Sequence, residues 1–477
     1  MVNRLSPEEA MFYFLDGSGT TTHLGALLIL EPDADRTLDY ASLVSLVENR
    51  LQLMPRYRQV VEEVSLGLAR PLWVDDRDFD VTFHVRLSAL PQPGTTDQLQ
   101  EFIARILSRP LDRDRPLWEL YLIEGLADGR LALLTKTHRC LLGNGDHPEI
   151  SEVITDVEPD TEPLKDDLWL PARRPGPGET TLNAITDAMT RPGELAETVF
   201  RGGGPIADIL SLADRSARFL GKTVQQAVNT APDSPLNSSA TSARLVTFAH
   251  VPRDGCQTIA ERYECTFNDV VLGIITGVLR RWMLSVTDSV GHDTTVRAVL
   301  PLGARDAVVD GASGWFSEGR AEFITDLPLG EDAPTVRLMQ VAGLADRYSQ
   351  AQRRLAPGVR PPFGELGVVP FADRSARAFN SLFHRSYNVP ISMSESLIDR
   401  RYVRGVPVGG LYTLPPLIAQ RAMAISVNEY VDQVEFGFLA DRNVVSDLPA
   451  MAGYVNESYE ELLTGNTPLP RGAGEGI

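Results

Sequence analysis

The first third of the chain shows apolar residues at both strand and helix spacing. An unbroken apolar run over 25–30 predicts a buried strand. Asp39 precedes a segment with helical apolar spacing, so the sequence predicts a helix that Asp39 caps. Thr95 and Gln98 form a capping-box pattern, which predicts a second helix over 97–107. Strands and helices therefore alternate from the start of the chain.

Two more apolar runs follow, at 117–123 and 130–137. They flank Asp128-Gly129, a dipeptide typical of tight turns between antiparallel strands. His138 then stands where the second strand runs out into a loop, so a rigid element would hold its imidazole. These elements predict a first mixed α/β domain over 1–160.

The pattern changes after this domain. Prolines punctuate a polar stretch, which predicts a loop-rich connector over 161–240. Within it, apolar residues recur at near-helical spacing over 206–219. A helix packed on the domains is the simpler interpretation, because the polar positions form no strongly basic face, and a membrane-surface helix is the alternative.

The remainder, 241–477, predicts a second α/β domain. Thr266 and Asp269 form another helix-start pattern before a long apolar segment. Further predicted elements are a strand at 296–300, a helix at 335–348 and paired strands at 422–427 and 434–439.

Composition excludes several classes of protein. The chain has 477 residues and a net charge of −19, which argues against a nucleic-acid surface. Its three cysteines form no CxxC pair, so we expect a reducing compartment and no structural zinc site. No apolar run reaches membrane-spanning length, and the first residues lack the apolar core of a signal peptide. We therefore expect a cytoplasmic protein.

An ordered series of short motifs extends over nearly the whole chain. The most specific is Pro116-Leu117-Trp118, inside the charged run 111–119. In this order, the motifs resemble the bacterial wax ester synthase/acyl-CoA:diacylglycerol acyltransferase family, especially its actinobacterial members. The other matching segments lie at 5–7, 23–25, 73–76, 79–84, 268–272 and 436–442.

The resemblance implies both a fold and a chemistry. The implied fold is α/β, with two chloramphenicol-acetyltransferase-like (condensation-domain-like) domains and a tunnel between them. The implied reaction moves a long acyl chain from acyl-CoA to a fatty alcohol or diacylglycerol, without a metal or another cofactor. Peripheral contact with the inner face of a membrane or with lipid droplets is a further expectation.

The family's His-His-x-x-x-Asp-Gly motif corresponds to 138–144, and this chain departs from it. His138 matches the first His, but Arg139 stands at the second, Gly143 at the Asp and Asn144 at the Gly. By the resemblance, the second His removes the alcohol proton. An arginine keeps its proton and has no acceptor lone pair. We therefore expect weak or no standard transfer, and a role in binding lipid or acyl-CoA.

A second segment also departs from the family. The family's Asn-Val-Pro-Gly-Pro appears as Asn388–Ser392, with Ile391 at the glycine position. A branched side chain there would fill a close backbone approach. Asn268, Asn388 and Pro390 are the substrate-binding candidates that the resemblance implies, although Asn268 also fits a helix start.

Several interpretations of single residues stay open. His138 or His147 would be a relocated base if the protein is an active acyltransferase, while His138 equally fits a hydrogen-bonded core residue. Cys140 fits a buried small apolar residue better than an acyl-accepting thiol. Arg139 fits a phosphate contact or an ion pair with Glu149. A third hypothesis for the whole protein is a non-catalytic partner of an active paralogue.

Overall fold

The structure is a computed structural model. It describes residues 3–16, 21–32, 36–64, 70–143, 147–165, 169–174, 176, 231–238, 241–287, 289–302, 321–354, 387–394, 396–417 and 421–465.

Fourteen strands occur in the described residues, and they form two six-stranded sheets and one two-stranded sheet. They are β1 (His23–Leu30), β2 (Gln59–Glu62), β3 (Leu72–Asp75), β4 (Val85–Ala89), β5 (Trp118–Glu124), β6 (Leu131–His138), β7 (Arg244–Pro252), β8 (Thr295–Leu302), β9 (Ala321–Pro328), β10 (Val389–Met393), β11 (Tyr402–Val403), β12 (Val406–Leu414), β13 (Met423–Tyr430) and β14 (Gln433–Asp441).

The α-helices of the described residues pack on these sheets. They are α1 (Pro7–Leu15), α2 (Tyr40–Arg50), α3 (Val81–His84), α4 (Thr96–Leu107), α5 (Ile150–Val153), α6 (Arg253–Arg262), α7 (Phe267–Val286), α8 (Pro334–Arg354) and α9 (Ala450–Thr464). None of them combines the length and the apolar character that a bilayer crossing requires.

Strand β1 lies at the centre of the first sheet, whose order is β11-β12-β1-β6-β5-β4. All eight of its residues are buried, as its unbroken apolar sequence predicts. It pairs antiparallel with β6 on one side and with β12 on the other. The second sheet has the order β7-β14-β13-β10-β8-β9, and its core includes the apolar face of α7.

The predicted elements are confirmed with small shifts in their ends. Capping boxes at Ser6, Thr95 and Thr266 begin α1, α4 and α7, because each hydroxyl accepts the backbone N–H three residues on. Strands β5 and β6 pair antiparallel, but their connection over 125–130 is longer than the predicted two-residue turn. Asp128 and Gly129 adopt positive φ of 62° and 73° within it.

One feature of the topology does not follow chain order. Strands β11 and β12, from the second half of the chain, lie in the first sheet beside β1. The first sheet is therefore completed by a segment whose residues pair with β1 across 378 to 389 positions of sequence, and such long-range pairing leaves no local sequence signal. The predicted domain limits at 160 and 240 remain predictions, and the predicted helix at 206–219 lies outside the described residues.

The two halves meet in a shared apolar cluster and at a hydrogen bond from a buried ion pair of the second half. The cluster contains Leu27 and Leu134 from the first sheet and Leu439 from the second. Arg244, at the start of β7, lies 3.7 Å from the Asp441 carboxylate, and both side chains are fully buried. The guanidinium also donates to the Thr21 hydroxyl across the boundary, at 3.3 Å. The ion pair thus fixes the second half against the residue that leads into β1.

We predict that Asp441→Ala lowers the free energy of unfolding by about 3–5 kcal/mol, because it leaves the buried Arg244 guanidinium without its carboxylate. Asp326→Ala is the control, since Asp326 pairs with Arg297 while its side chain is 45% exposed. That variant should cost at most about 1 kcal/mol. Urea denaturation measures both, and equal losses would contradict the importance of the buried pair.

Candidate active site at the end of strand β6

The register of β1 and β6 places two histidines opposite each other. His23 opens β1, His138 ends β6, and the two are Cα partners in the antiparallel ladder. Their ring centroids lie 5.5 Å apart, and the residues are 2% and 1% exposed. The site is therefore held by the two central strands of the first sheet.

Both ring nitrogens of His138 are hydrogen bonded. The Cys140 backbone N–H donates to Nδ1 at 3.1 Å, while Nε2 lies 2.9 Å from the Thr22 hydroxyl. That hydroxyl donates onward to the Phe12 carbonyl. Because Nδ1 accepts a proton donor, a neutral ring carries its own proton on Nε2. Burial lowers the pKa of His138, which favours this neutral form.

Asp16 connects the two imidazoles. Its Oδ2 lies 3.4 Å from His23 Nε2 and 3.7 Å from His138 Nε2. Burial alone would raise the pKa of Asp16, but the imidazole N–H groups of His138 and His23 outweigh it and hold the pKa well below its usual range. Arg113 donates to the backbone carbonyls of Tyr13 and Asp16 at 3.1 and 2.9 Å, which fixes the end of α1.

His23 differs from His138 in its hydrogen bonding. Among the described residues, neither of its ring nitrogens has a partner with hydrogen-bond geometry, although Nε2 faces the Asp16 carboxylate. Burial lowers the pKa of His23 to about 4, against the opposing effect of Asp16. The ring is thus neutral at pH 7. An unsatisfied buried polar atom costs about 1–3 kcal/mol, so its retention calls for an explanation.

Asp16, His23 and His138 also have the spacing of a metal site. One ligand atom from each lies within 4.8 Å of the others. A metal ion needs an unprotonated nitrogen, but His138 presents Nε2 with its proton because Nδ1 accepts the Cys140 N–H. The hydrogen bonding therefore fits a proton-sharing cluster better than a three-ligand metal site.

Arg139 begins a short 3₁₀ turn, Arg139–Leu141, directly after β6. Its guanidinium stacks over the Phe12 ring at 4.3 Å, and its backbone N–H donates to the Thr22 carbonyl at 3.0 Å. The turn packs against α1. Cys140 is buried within it, and burial raises the pKa of its thiol well above the usual value. A thiol in this state is a poor nucleophile.

Gly143 adopts a left-handed conformation with φ of 60°. A β-carbon there would lie 3.3 Å from the Glu9 carboxylate and 3.8 Å from the His147 ring. Glu9 is buried, pairs with Arg56 and accepts a hydrogen bond from Trp73 at 3.1 Å. A carboxylate from α1 thus lies beside the position where the family's motif places an aspartate.

The remaining predicted site residues lie elsewhere or outside the described chain. Asn144 is outside the described residues. Asn268 is half-buried in the first turn of α7. Asn388 is fully buried, accepts from the Arg297 backbone N–H at 2.7 Å and donates to the Pro232 carbonyl at 2.9 Å. Pro390 lies in β10, paired with β8. The structure therefore groups His138, Arg139, Gly143 and His147, while Asn388 joins strands of the second sheet.

Asp16 and His23 are site residues that the sequence motifs do not predict. The sequence does carry a signal for His23, since it opens the apolar run of β1. Only the register of β1 against β6 reveals that it faces His138. Asp16 carries no local signal, because its role depends on where α1 ends.

We predict that stability falls between pH 6.5 and pH 4, and that His23→Gln reduces this loss. The unfolded imidazole titrates near 6.5, whereas in the folded protein the pKa is about 4. Over this window the unfolded state binds the extra proton, so stability is present above 6.5 and is lost as the pH falls towards 4. Urea denaturation across the window measures the effect. His292→Gln, at an exposed turn, is the control, and equal pH dependence in wild type and His23→Gln would contradict it.

Comparison with known proteins identifies the family. The wax ester synthase/diacylglycerol acyltransferase catalytic domain matches residues 5–271, and the C-terminal domain of the same family matches residues 322–463. Probable diacylglycerol O-acyltransferase tgs3 of Mycobacterium tuberculosis is 44% identical over 270 residues, which cover 56% of this chain and 98% of that protein. Probable diacylglycerol O-acyltransferase tgs1 of the same organism is 27% identical over 451 residues, 92% of this chain and 91% of that one.

Solved structures show the same fold. The wax ester synthase/diacylglycerol acyltransferase from Marinobacter aquaeolei VT8 superposes with a TM-score of 0.69 at 22% identity, covering 97% of this chain and 99% of its own. The first condensation domain of the CDA synthetase gives a TM-score of 0.52 at 15% identity, covering 98% and 97%. These matches confirm the predicted α/β fold of chloramphenicol-acetyltransferase-like and condensation-domain-like type. The chain belongs to the wax ester synthase/diacylglycerol acyltransferase family.

Proposed function

We propose that this protein binds long-chain acyl-CoA together with a diacylglycerol or fatty alcohol, and that it transfers the acyl group weakly or not at all by the family's usual route. The observation that carries the proposal is Arg139 at the position of the family's histidine base. Contact with a membrane surface or a lipid droplet belongs to the same proposal, because both substrates carry long acyl chains, and a cytoplasmic location fits it.

Arg139 cannot perform the proton transfer. A guanidinium remains protonated throughout the physiological range and has no lone pair to offer an alcohol. Its contact with the Phe12 ring holds it beside α1. Losing a general base costs on the order of 10² to 10⁴ in rate, so we expect any transfer by this protein to be slower by about that factor.

The contacts of His138 favour a structural role over the alternative of a relocated base. Its Nδ1 lone pair accepts the Cys140 N–H, and its Nε2 proton faces Thr22 and Asp16. These bonds support a structural role for the ring. His147 is half-buried beside Gly143 and stays the alternative predicted position for a relocated base.

A cavity between the two halves supports retained lipid binding. It has a volume of about 500 Å³, within the range of ligand pockets. Ile29, Leu99, Phe248 and Tyr412 line it, and they come from both halves. Glu435 also faces it, and burial raises the pKa of this carboxyl well above its usual value. The lining also carries polar and charged groups, among them Glu31, Arg130 and Asp432, so the apolar side chains from both halves would hold an acyl chain while these groups face a polar end.

The position of this cavity suits a long chain. Ile29 and His23 lie at opposite ends of β1, roughly 20 Å apart at the rise of an extended strand. This span is comparable with an extended long-chain acyl group. We therefore place the thioester near the end of β6 and the acyl tail in the cavity.

We predict that palmitoyl-CoA binds at one site per chain, and that acetyl-CoA binds at least tenfold more weakly because it leaves the cavity empty. Ala452→Trp, which fills the cavity, should weaken palmitoyl-CoA tenfold or more without changing the binding of acetyl-CoA. Val336→Trp is the control, since Val336 is 46% exposed on α8. Titration calorimetry measures the binding of both ligands to wild type and to both variants. No heat from wild type with palmitoyl-CoA would exclude the proposal.

We predict that Arg139→His raises ester synthesis from palmitoyl-CoA and hexadecanol at least tenfold, because it supplies the missing proton acceptor. Arg139→Lys keeps a cation and Arg139→Gln removes the charge without adding a base, so neither should gain activity. A gain in Arg139→Gln equal to that in Arg139→His would show that the cation blocks binding instead.

We predict that adding Gly143→Asp to Arg139→His gives less improvement than Arg139→His alone. The aspartate must adopt the left-handed conformation of Gly143, and its β-carbon would lie 3.3 Å from the Glu9 carboxylate. The same ester assay measures the effect. A further large gain from the second substitution would mean that the motif carboxylate is needed in addition to Glu9.

A further inference from the structure

We propose that the His23 imidazole, oriented by Asp16, accepts the proton of the acyl acceptor in this protein and supports its residual transfer. The proposal rests on the proposed function, since it requires acyl-CoA and an alcohol to bind. It assigns the proton transfer to a histidine that lies outside the family's motif positions 138–144.

The two ring nitrogens of His23 have different surroundings. Asp16 Oδ2 lies 3.4 Å from His23 Nε2 without hydrogen-bond geometry, and the nearby negative charge favours the ring's single proton on Nε2. Nδ1 then carries a free lone pair, and it has no hydrogen-bond partner among the described residues. An acid that orients one ring nitrogen and leaves the other as acceptor is the arrangement of a His-Asp catalytic pair.

The imidazole of His138, opposite His23, is bonded differently. His138 shares the same carboxylate but uses its acceptor nitrogen for the Cys140 N–H. His23 is therefore the imidazole of this pair that retains an acceptor. A buried acceptor without a partner is the kind of group that a bound hydroxyl satisfies.

His23 lies close in sequence to a contact between the two halves. Thr21, two residues before His23, accepts a hydrogen bond from Arg244 of the second half at 3.3 Å. His23 thus lies at the boundary between the halves, at one end of the strand whose other end lines the cavity. The ring is 2% exposed, so it is shielded from bulk solvent, and the proposal requires the acceptor to enter between the halves.

The proposed step transfers the acyl group from the sulfur of coenzyme A to the oxygen of the acceptor. The acceptor hydroxyl attacks the thioester carbonyl, its proton moves to His23 Nδ1, and a new carbon–oxygen bond forms. The carbon–sulfur bond then breaks, and the coenzyme A sulfur leaves as a thiolate that takes the proton back from His23. The products are the ester and free coenzyme A, and Asp16 stays ionised throughout as the positioning residue.

The test compares His23→Gln with wild type in ester synthesis from radiolabelled palmitoyl-CoA and hexadecanol, against a blank without protein. Gln keeps an N–H group towards Asp16 but has only a weakly basic amide oxygen in place of the basic Nδ1. We expect kcat to fall about 100-fold or more, or to the blank, while the Kd of palmitoyl-CoA stays within threefold. Asp16→Asn should lower kcat with an unchanged KM, and His292→Gln, at an exposed turn, should match wild type.

Three results would overturn the proposal: no wild-type ester above the blank, a His23→Gln rate within threefold of wild type, or a larger loss in a folded His138→Gln variant. Failure of palmitoyl-CoA to bind wild type would instead overturn the proposed function. Should His23→Gln not fold, ¹⁵N NMR of histidine-labelled wild type decides. We expect an unprotonated His23 Nδ1 whose signal shifts when hexadecanol is added, and a protonated or unresponsive Nδ1 would overturn the proposal.

Discussion

The double pairing of β1 is the constraint on which the rest of the structure depends. This buried strand pairs with β6 on one side and with β12, from the second half of the chain, on the other. Its register sets His23 opposite His138, and its length separates these histidines from the cavity between the halves. A slip of one residue would turn every side chain of β1 to the other face of the sheet. The site and the joining of the two halves therefore share one structural cause.

The ionisable groups around β1 include one arginine and two carboxyl groups. The guanidinium of Arg139, the residue that the resemblance aligns with the family's base, is held against Phe12. A carboxylate, Asp16, lies between two neutral imidazoles of unequal hydrogen bonding. Glu9 supplies a further buried carboxylate beside Gly143. Ionisable side chains of α1 and β1 thus lie next to the motif positions in space.

Much of this architecture was predictable from sequence. Apolar spacing and capping boxes located β1, α4, β6 and α7, because these signals are local. The strand order was not predictable, since the pairing of β12 with β1 depends on contacts far apart in the chain. The motif positions identified His138 and Arg139, but the Asp16–His23 pair required the register of two strands and the end point of α1. The substrate contact of Asn388 stays a prediction of the motif, and only the structure reveals that its amide bonds to the Arg297 backbone N–H and the Pro232 carbonyl.

The central claim is that the family's fold and binding capacity remain while its usual proton acceptor is replaced by a cation. The most direct test is a single-turnover experiment with the wild-type protein saturated with palmitoyl-CoA, run beside the Marinobacter aquaeolei enzyme under the same conditions. The account predicts one bound acyl-CoA per chain and ester formation at least 100-fold slower than in that enzyme. Ester formation at an equal rate would contradict it, and so would failure to bind acyl-CoA.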